Sequence, residues 1–230
     1  MAGADKQGAA SGCRSIDHLI EGVRQFKARF YQQAPELMRN LVEQGQAPAV
    51  LMISCSDSRV DPTLLSGAGP GELFVVRNVA NLVPPYERGA NIASVAAAIE
   101  YAVLHLKVDH VVVLGHAHCG GIKAMLEMAS GKEPLGEFIG NWVEIALDAA
   151  RQHVLDGDSH RAVPVERLKA APFLVERAAV QQSLKNLLTY PWVAELCAAG
   201  RLKLHGWWFD LDTGDLWATD DEAGVLLPAT

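Results

Sequence analysis

Short apolar runs, each followed by reactive side chains, predict an α/β fold with a mainly parallel central β-sheet flanked by helices. Residues 49–53, 73–76 and 111–114 are continuous and apolar, as strands buried on both faces are, and the third strand is read over residues 110–114. Segments of helical periodicity separate them, the alternation that builds a parallel sheet. Cys55 closes the first run, and His116 and Cys119 close the third. Parallel sheets place their ligands at such carboxyl ends. A helical arm before the first strand and a strand pair after the last helix complete the expected architecture.

Taken in order, residues 1–14 are small and polar without periodicity and read as a disordered tail. Cys13 reads as an inert free thiol at its edge. In residues 15–31, Ile16, Leu19, Ile20, Val23, Phe26 and Phe30 recur at helical spacing, and Ser15 can cap the helix. Pro35 interrupts it, and residues 35–44 read as a second short helix. This arm, residues 15–44, needs an apolar surface, on its own domain or on a partner subunit. The catalytic domain is expected over residues 45–230.

Asp61 and Pro62 suit the cap and first position of a short helix over residues 61–65. Residues 77–81 read as a loop after the second strand. Residues 91–106 read as a helix whose apolar face carries Ile92, Val95, Ala96, Ile99, Val103 and Leu106. Gly120 and Gly121 let the backbone turn closely before a helix running to about Ala129. A helix around residues 138–154 is followed by a polar stretch, residues 156–161, with the character of an insert. Residues 173–188 form another helix, stopped near Pro191. Residues 202–209 and 215–218 read as strands joined by a turn over residues 212–215.

The bulk properties exclude several roles. With 230 residues, half of them hydrophobic, the chain can bury a sizeable core. A net charge of -7 argues against general nucleic-acid or membrane-surface binding. No apolar run approaches the length of a membrane span. The N-terminus lacks the basic-then-apolar pattern of a secretory signal. Four scattered cysteines do not make a disulfide scaffold. A reducing, cytoplasmic setting is expected, where cysteines more often bind metal or react.

Cys55, His116 and Cys119 read as a zinc site with one open position. Two thiolates and an imidazole suit zinc, and three protein ligands instead of four mark a catalytic site. Were residues 55–59 extended, Cys55, Asp57 and Arg59 would share one face. Asp57 would then reach a water in the open position while Arg59 held its carboxylate by a two-pronged hydrogen bond. His118 reads as a loop histidine, and His105, His110 and His205 as surface or satisfied core residues. Trp207 and Trp208 read as packing residues. A structural zinc module is the competing class, disfavoured because structural sites are usually closed by four ligands.

These motifs resemble the β-class carbonic anhydrases, specifically the plant-type branch. The resemblance runs from about Ala34 to Trp217. It includes Gly45-Gln46-Ala47-Pro48, residues 71–78, Val83-Pro84-Pro85-Tyr86, residues 98–106 and Asn186-Leu187-Leu188-Thr189-Tyr190-Pro191. It implies one zinc ion per subunit on Cys55, His116 and Cys119, with Asp57 and Arg59 as a catalytic dyad. It also implies a carbon dioxide pocket lined by Gln46, Phe74, Val79, Tyr101 and Gly120. The implied activity is reversible hydration of carbon dioxide to bicarbonate and a proton, by zinc-bound hydroxide that the dyad orients. Relatives also hydrolyse carbonyl sulfide or carbon disulfide on this scaffold.

The resemblance further implies a homodimer or an assembly of dimers, with the pocket at the subunit interface and N-terminal helices wrapping the neighbour. A second branch of the family has an allosteric bicarbonate site and a closed form in which the aspartate ligates zinc. That branch carries tryptophan where this chain has Met52 and tyrosine where it has Phe209, so the open form is expected here. Three neutral histidines leave zinc both its charges, and in the three-histidine enzyme of this activity bound water has a pKa of about 7. Two thiolates cancel that charge, so an alkaline-leaning activity profile is expected here.

Overall fold

The computed structural model describes residues 15–87, 94–147, 149, 164–219 and 226–230. They fall into two compact units, one ending at Gln46 and the other beginning at Ala47. The predicted tail and the insert-like stretch over residues 156–161 lie outside the described residues.

In the first unit, α1 (Asp17–Lys27) runs into a π-helical turn at Ala28–Gln33, and α2 (Pro35–Gln44) follows with Pro35 in its first turn. Ser15 contributes at the start of α1, where its Oγ accepts the Asp17 N–H. The apolar stripe read from the sequence is exposed: Leu19, Ile20, Val23 and Phe26 are all open to solvent.

The second unit is built on a six-stranded sheet in the order β2-β1-β3-β4-β5-β6. The strands are β1 (Val50–Cys55), β2 (Leu73–Asn78), β3 (His110–His116), β4 (Lys203–Phe209), β5 (Leu216–Thr219) and β6 (Leu226–Pro228). The first four in this order pair in parallel, and β5 and β6 add antiparallel. The expected strand pair is therefore present, with a third short strand beyond it.

Side chains alternate across this sheet. Leu51, Ile53, Val111 and Val113 pack on one face with Val95, Ile99, Val103, Val180, Leu187 and Val193. Met52, Val112 and Leu114 cluster on the other with Trp207 and Leu216. This period of two, with both faces covered, explains why the runs read as unbroken apolar segments.

Between strands lie α3 (Pro62–Ser66), α4 (Ser94–Glu100) with a π-helical extension at Tyr101–Leu106, and α5 (Gly120–Ala129). Then come α6 (Glu137–Val143), α7 (Val165–Ala170), α8 (Pro172–Leu187) and α9 (Pro191–Ala198). Asp61 caps α3 as read from the sequence, accepting the Thr63 and Leu64 N–H groups. The helix expected over residues 138–154 is α-helical only to Val143 and passes into a 3-10 turn at Glu144–Ala146. Part of its remaining length, and residues 91–93 of the helix before β3, lie outside the described residues. Two short helices, α7 and α9, go beyond the sequence expectation. Pro191 does not only stop α8. It opens α9, where a proline without an N–H is tolerated in the first turn.

Two of the quoted segments meet in space. Asn186 Nδ2 donates to the Val83 carbonyl at 2.7 Å, and the Tyr190 hydroxyl donates to the Pro84 carbonyl at 3.2 Å. The Tyr86 N–H donates to Thr189 Oγ1, and Tyr86, Tyr190 and Trp192 form an edge-on aromatic cluster. These bonds tie the chain after β2 to the end of α8, more than a hundred residues away.

The strand order also positions the site. From β1 the chain crosses to β2 on one side, and from β3 to β4 on the other. The order reverses between β1 and β3, and open α/β sheets bind ligands in the crevice outside the carboxyl ends at such a point.

Candidate metal centre

Cys55 is the last residue of β1, and His116 the last of β3. The two strands are parallel neighbours, so both side chains emerge at the same edge of the sheet. Cys119 follows three residues later, immediately before α5. One ligand atom from each of the three lies within 4.8 Å of the others, and all three residues are buried.

The donor set fits a zinc ion. The His116 Nδ1–H donates to the Ala117 carbonyl at 2.8 Å, so the neutral ring carries its lone pair on Nε2. That Nε2 is buried and has no hydrogen-bond partner among the described residues. A metal-ligating histidine is commonly oriented this way, its other ring N–H held by a backbone carbonyl. The two sulfurs and this one nitrogen supply three corners of a tetrahedron and leave the fourth open.

Without a cation the site is electrostatically awkward. The Cys119 S–H donates to Cys55, which pulls the Cys55 pKa far below the ordinary thiol value. The same bond, with burial behind it, pushes Cys119 far up. The pair thus shares one proton. Burial opposes a charge on His116, but the adjacent Cys55 thiolate outweighs it and raises the His116 pKa.

The sequence reading placed Asp57 and Arg59 on one face of an extended segment. The structure corrects the route: β1 ends at Cys55, and the chain turns, with the Val60 N–H donating to the Asp57 carbonyl. The two-pronged pairing is nevertheless present. Arg59 Nε and Nη2 donate to Asp57 Oδ1 and Oδ2 at 2.9 and 2.7 Å. This guanidinium, assisted by the Arg59 backbone N–H, holds the Asp57 carboxyl well below the usual carboxylate range. Asp57 Oδ2 lies 4.0 Å from His116 Nε2, so the carboxylate borders the ligand cluster without joining it.

Several residues that sequence reasoning passed over hold the two loops. Arg77, expected in a loop, lies in β2. It donates to the Cys55 and Asp57 carbonyls at 3.0 and 2.7 Å and to Asp61 Oδ2 at 2.8 Å. The Ala80 N–H points at Cys55 Sγ at 3.4 Å from a left-handed backbone, φ 66°. His118 is also left-handed, φ 57°, a conformation that costs a non-glycine residue about 1–3 kcal/mol. It is held open from both sides: Arg59 Nη2 donates to its carbonyl, and its ring pairs with Asp212 at 2.8 Å. Glu176, on α8, accepts the Cys119 N–H at 3.1 Å.

Of the two glycines expected to let the backbone pass closely, only Gly121 is needed for it. Neither has the positive φ that only glycine adopts freely. A Cβ on Gly121 would stand 2.7 Å from Val79 Cγ1 and 2.8 Å from the Ala80 Cβ, so Gly121 serves a close approach of chains. A Cβ on Gly120 would meet nothing.

The other expected pocket residues are distributed as follows. Phe74 lies in β2, and its ring centroid is 5.8 Å from that of Tyr101 at the start of the π-helical extension. Val79 follows β2 directly, and its carbonyl accepts the Trp142 indole N–H at 2.7 Å. Tyr101 and Val79 are 46 % and 38 % exposed. Gly120 opens α5. Gln46 is the last residue of the first unit and is exposed. Away from the centre, His110 Nδ1 and His205 Nε2 pair at 3.0 Å across β3 and β4, a partnership the sequence did not suggest.

Known proteins share this arrangement of chain. A protein-family model described as "Carbonic anhydrase" matches residues 50–216. A carbonic anhydrase of Synechococcus elongatus is 38 % identical over 213 residues, covering 90 % of this chain and 74 % of that protein. One from a Synechocystis species is 37 % identical over 214 residues, covering 92 % and 72 %. Among solved structures, the β-carbonic anhydrase CcaA superposes with a TM-score of 0.77 at 34 % identity, over 94 % of this chain and 92 % of that one. A tetrameric β-carbonic anhydrase of Sordaria macrospora gives 0.69 at 30 % identity, over 88 % and 95 %.

The shared proton yields a measurable consequence. Metal binding requires both thiolates, and Cys119 keeps its proton at neutral pH in the metal-free pair. Calorimetric titration with zinc near neutral pH, in two buffers of different ionisation heat, should show at least one proton released per zinc. Tight zinc uptake without proton release would contradict this.

Proposed function

Because this chain belongs to the β-class carbonic anhydrase family, we propose that it catalyses the zinc-dependent, reversible hydration of carbon dioxide to bicarbonate and a proton. One observation carries the reading: a buried Cys55–His116–Cys119 cluster bordered by a carboxylate that Arg59 grips with two hydrogen bonds. Zinc, when held by these three residues, supplies the Lewis acidity that makes water a nucleophile near neutral pH.

The chain's own residues do the rest. Asp57, kept ionised by Arg59, accepts a proton of the attacking water as a hydrogen bond and so aims its lone pair at carbon. Arg59 spans both ligand loops, reaching Asp57 on one and the His118 carbonyl on the other, and keeps that aim fixed. Phe74, Val79 and Tyr101 form the small apolar pocket for carbon dioxide. The Gln46 amide and the Gly120 N–H donate to the substrate oxygen on which charge develops, the logic of an oxyanion hole.

The plant-type, open form is the form we assign. Asp57 is engaged by Arg59 and stands outside the ligand cluster. Met52 packs with Val112 and Leu114 inside the sheet, where the second branch carries a tryptophan. The working unit is a homodimer or an assembly of dimers, supported by the uncovered apolar stripe Leu19, Ile20, Val23 and Phe26 on α1. A contiguous exposed stripe of this kind marks an interface. No helix among the described residues is long and apolar enough to cross a membrane; the cytoplasmic reading rests on the few, scattered cysteines.

Stopped-flow hydration of carbon dioxide by zinc-loaded protein tests the reading. The parent should be active and Cys55→Ser should not. Asp57→Ala with full zinc content should lose about 10- to 100-fold in rate; full activity would remove Asp57 from the mechanism. The pH profile should rise on the alkaline side of neutrality, because two thiolates cancel the charge of zinc, while Asp57, its pKa depressed, stays ionised throughout. A rate already saturated at mildly acidic pH would contradict this. In sedimentation, the parent should run as a dimer or larger and Val23→Glu as a smaller species; a monomeric parent would refute the oligomer.

A further inference from the structure

The mechanism above leaves one buried acid unused. Glu176 is 3 % exposed, in the middle of the buried face of α8 with Val175, Ala179, Val180, Ser183 and Leu187. Packing alone does not explain a carboxylate there, because burying a charge is costly unless it is paired. Its surroundings supply no cation among its hydrogen-bond partners. Oε1 accepts the Cys119 N–H at 3.1 Å, and Oε2 is buried with no partner among the described residues. Burial accordingly pushes its pKa up, against the pull of the Cys119 N–H and of the nearby His116 and Trp208 rings.

The position of that bond matters more than its strength. Cys119 stands between left-handed His118 and the start of α5 at Gly120, where the first N–H groups of a helix have no partner within the helix. On one side the loop borders a cavity of about 330 Å3, lined by His118, Cys119, Lys123, Glu127, Lys169 and Glu176. The Cys119 side chain packs into the core, whereas its backbone N–H takes an acceptor from outside the loop. The acceptor comes from α8, 57 residues away, which packs against β3 and β4. The bond refers the Cys119 backbone to the sheet that also carries His116.

We propose that Glu176 is a positioning residue for the metal centre: its Oε1 fixes the backbone of Cys119 and thereby aims the Cys119 sulfur at the ion shared with Cys55 and His116. This rests on the metal-centre reading above but not on turnover. Residues that orient metal ligands typically alter affinity by about 10- to 100-fold when lost.

The test compares Glu176→Gln with Glu176→Leu, in zinc transfer to a chromophoric chelator and in the visible spectrum of the cobalt-loaded proteins. Gln keeps an acceptor oxygen at the same reach, so its zinc loss and cobalt–thiolate bands should match the parent. Leu fills the space without an acceptor, so zinc should leave about 10- to 100-fold faster and the bands should shift. A folded Leu variant with parental zinc loss and spectrum overturns the proposal, as does a Gln variant that loses zinc as Leu does. Should Leu fail to fold, hydrogen exchange of the Cys119 amide in the zinc-loaded parent decides. Exchange as slow as the core amides of β3 supports the proposal, and exchange at the rate of an exposed loop amide overturns it. Zinc behaviour as expected without carbon dioxide hydration would defeat the functional reading and leave this one standing.

Discussion

Two thiols and an imidazole buried within 4.8 Å of one another form an arrangement that a protein interior resists without a cation. Both sulfurs cannot be charged in that volume alone, so one proton is shared and His116 is drawn toward the charged form. A divalent ion removes the conflict by meeting two thiolates with two positive charges. Much of the surrounding structure can be understood as what holds that conflict in place. Parallel pairing of β1 with β3 sets Cys55 beside His116, and the reversal of strand order opens a crevice at that edge.

The loops that complete the site are not regular structure, and each is pinned from outside itself. Arg77 reaches from β2 to three acceptors on the first loop. Arg59 links that loop to the second, and Asp212 and Glu176 hold the second from the β4–β5 turn and from α8. Left-handed Ala80, Asn81 and His118 flank the sulfurs, and such strain persists only where the surroundings over-determine it. The bonds also divide the work. Those on backbone carbonyls and N–H groups fix where the ligands stand, whereas the Arg59–Asp57 pair fixes where a carboxylate points.

Much of the fold is legible in the sequence because the strands are buried on both faces and read as unbroken apolar runs. Hydropathy ends β1, β2 and β3 two residues early, since Ser54, Arg77, Asn78, Gly115 and His116 break the apolar runs. Their place in the sheet depends on backbone pairing, which a hydropathy pattern does not record. Helix α9 is hidden behind Pro191, which serves as a start where the sequence suggests a stop. Asp57 and Arg59 pair for the chemical reason the sequence suggests but by a different geometry, a turn in place of an extended segment. Glu176 carries a signal that pattern reading passes over: it shares a helical face with Val180, Ser183 and Leu187, and an acid on a buried face needs a partner. That the partner is Cys119 depends on how α8 crosses the sheet, which local sequence does not contain.

The central claim is that these three side chains close on one metal ion and leave it a fourth position for solvent. X-ray absorption at the zinc edge of the loaded protein in solution tests it most directly. The account predicts two sulfur neighbours at about 2.3 Å with one imidazole nitrogen and one further light atom at about 2.0–2.1 Å. Fewer than two sulfurs, or a second protein ligand in the light shell that persists when solvent is free to exchange, would contradict it.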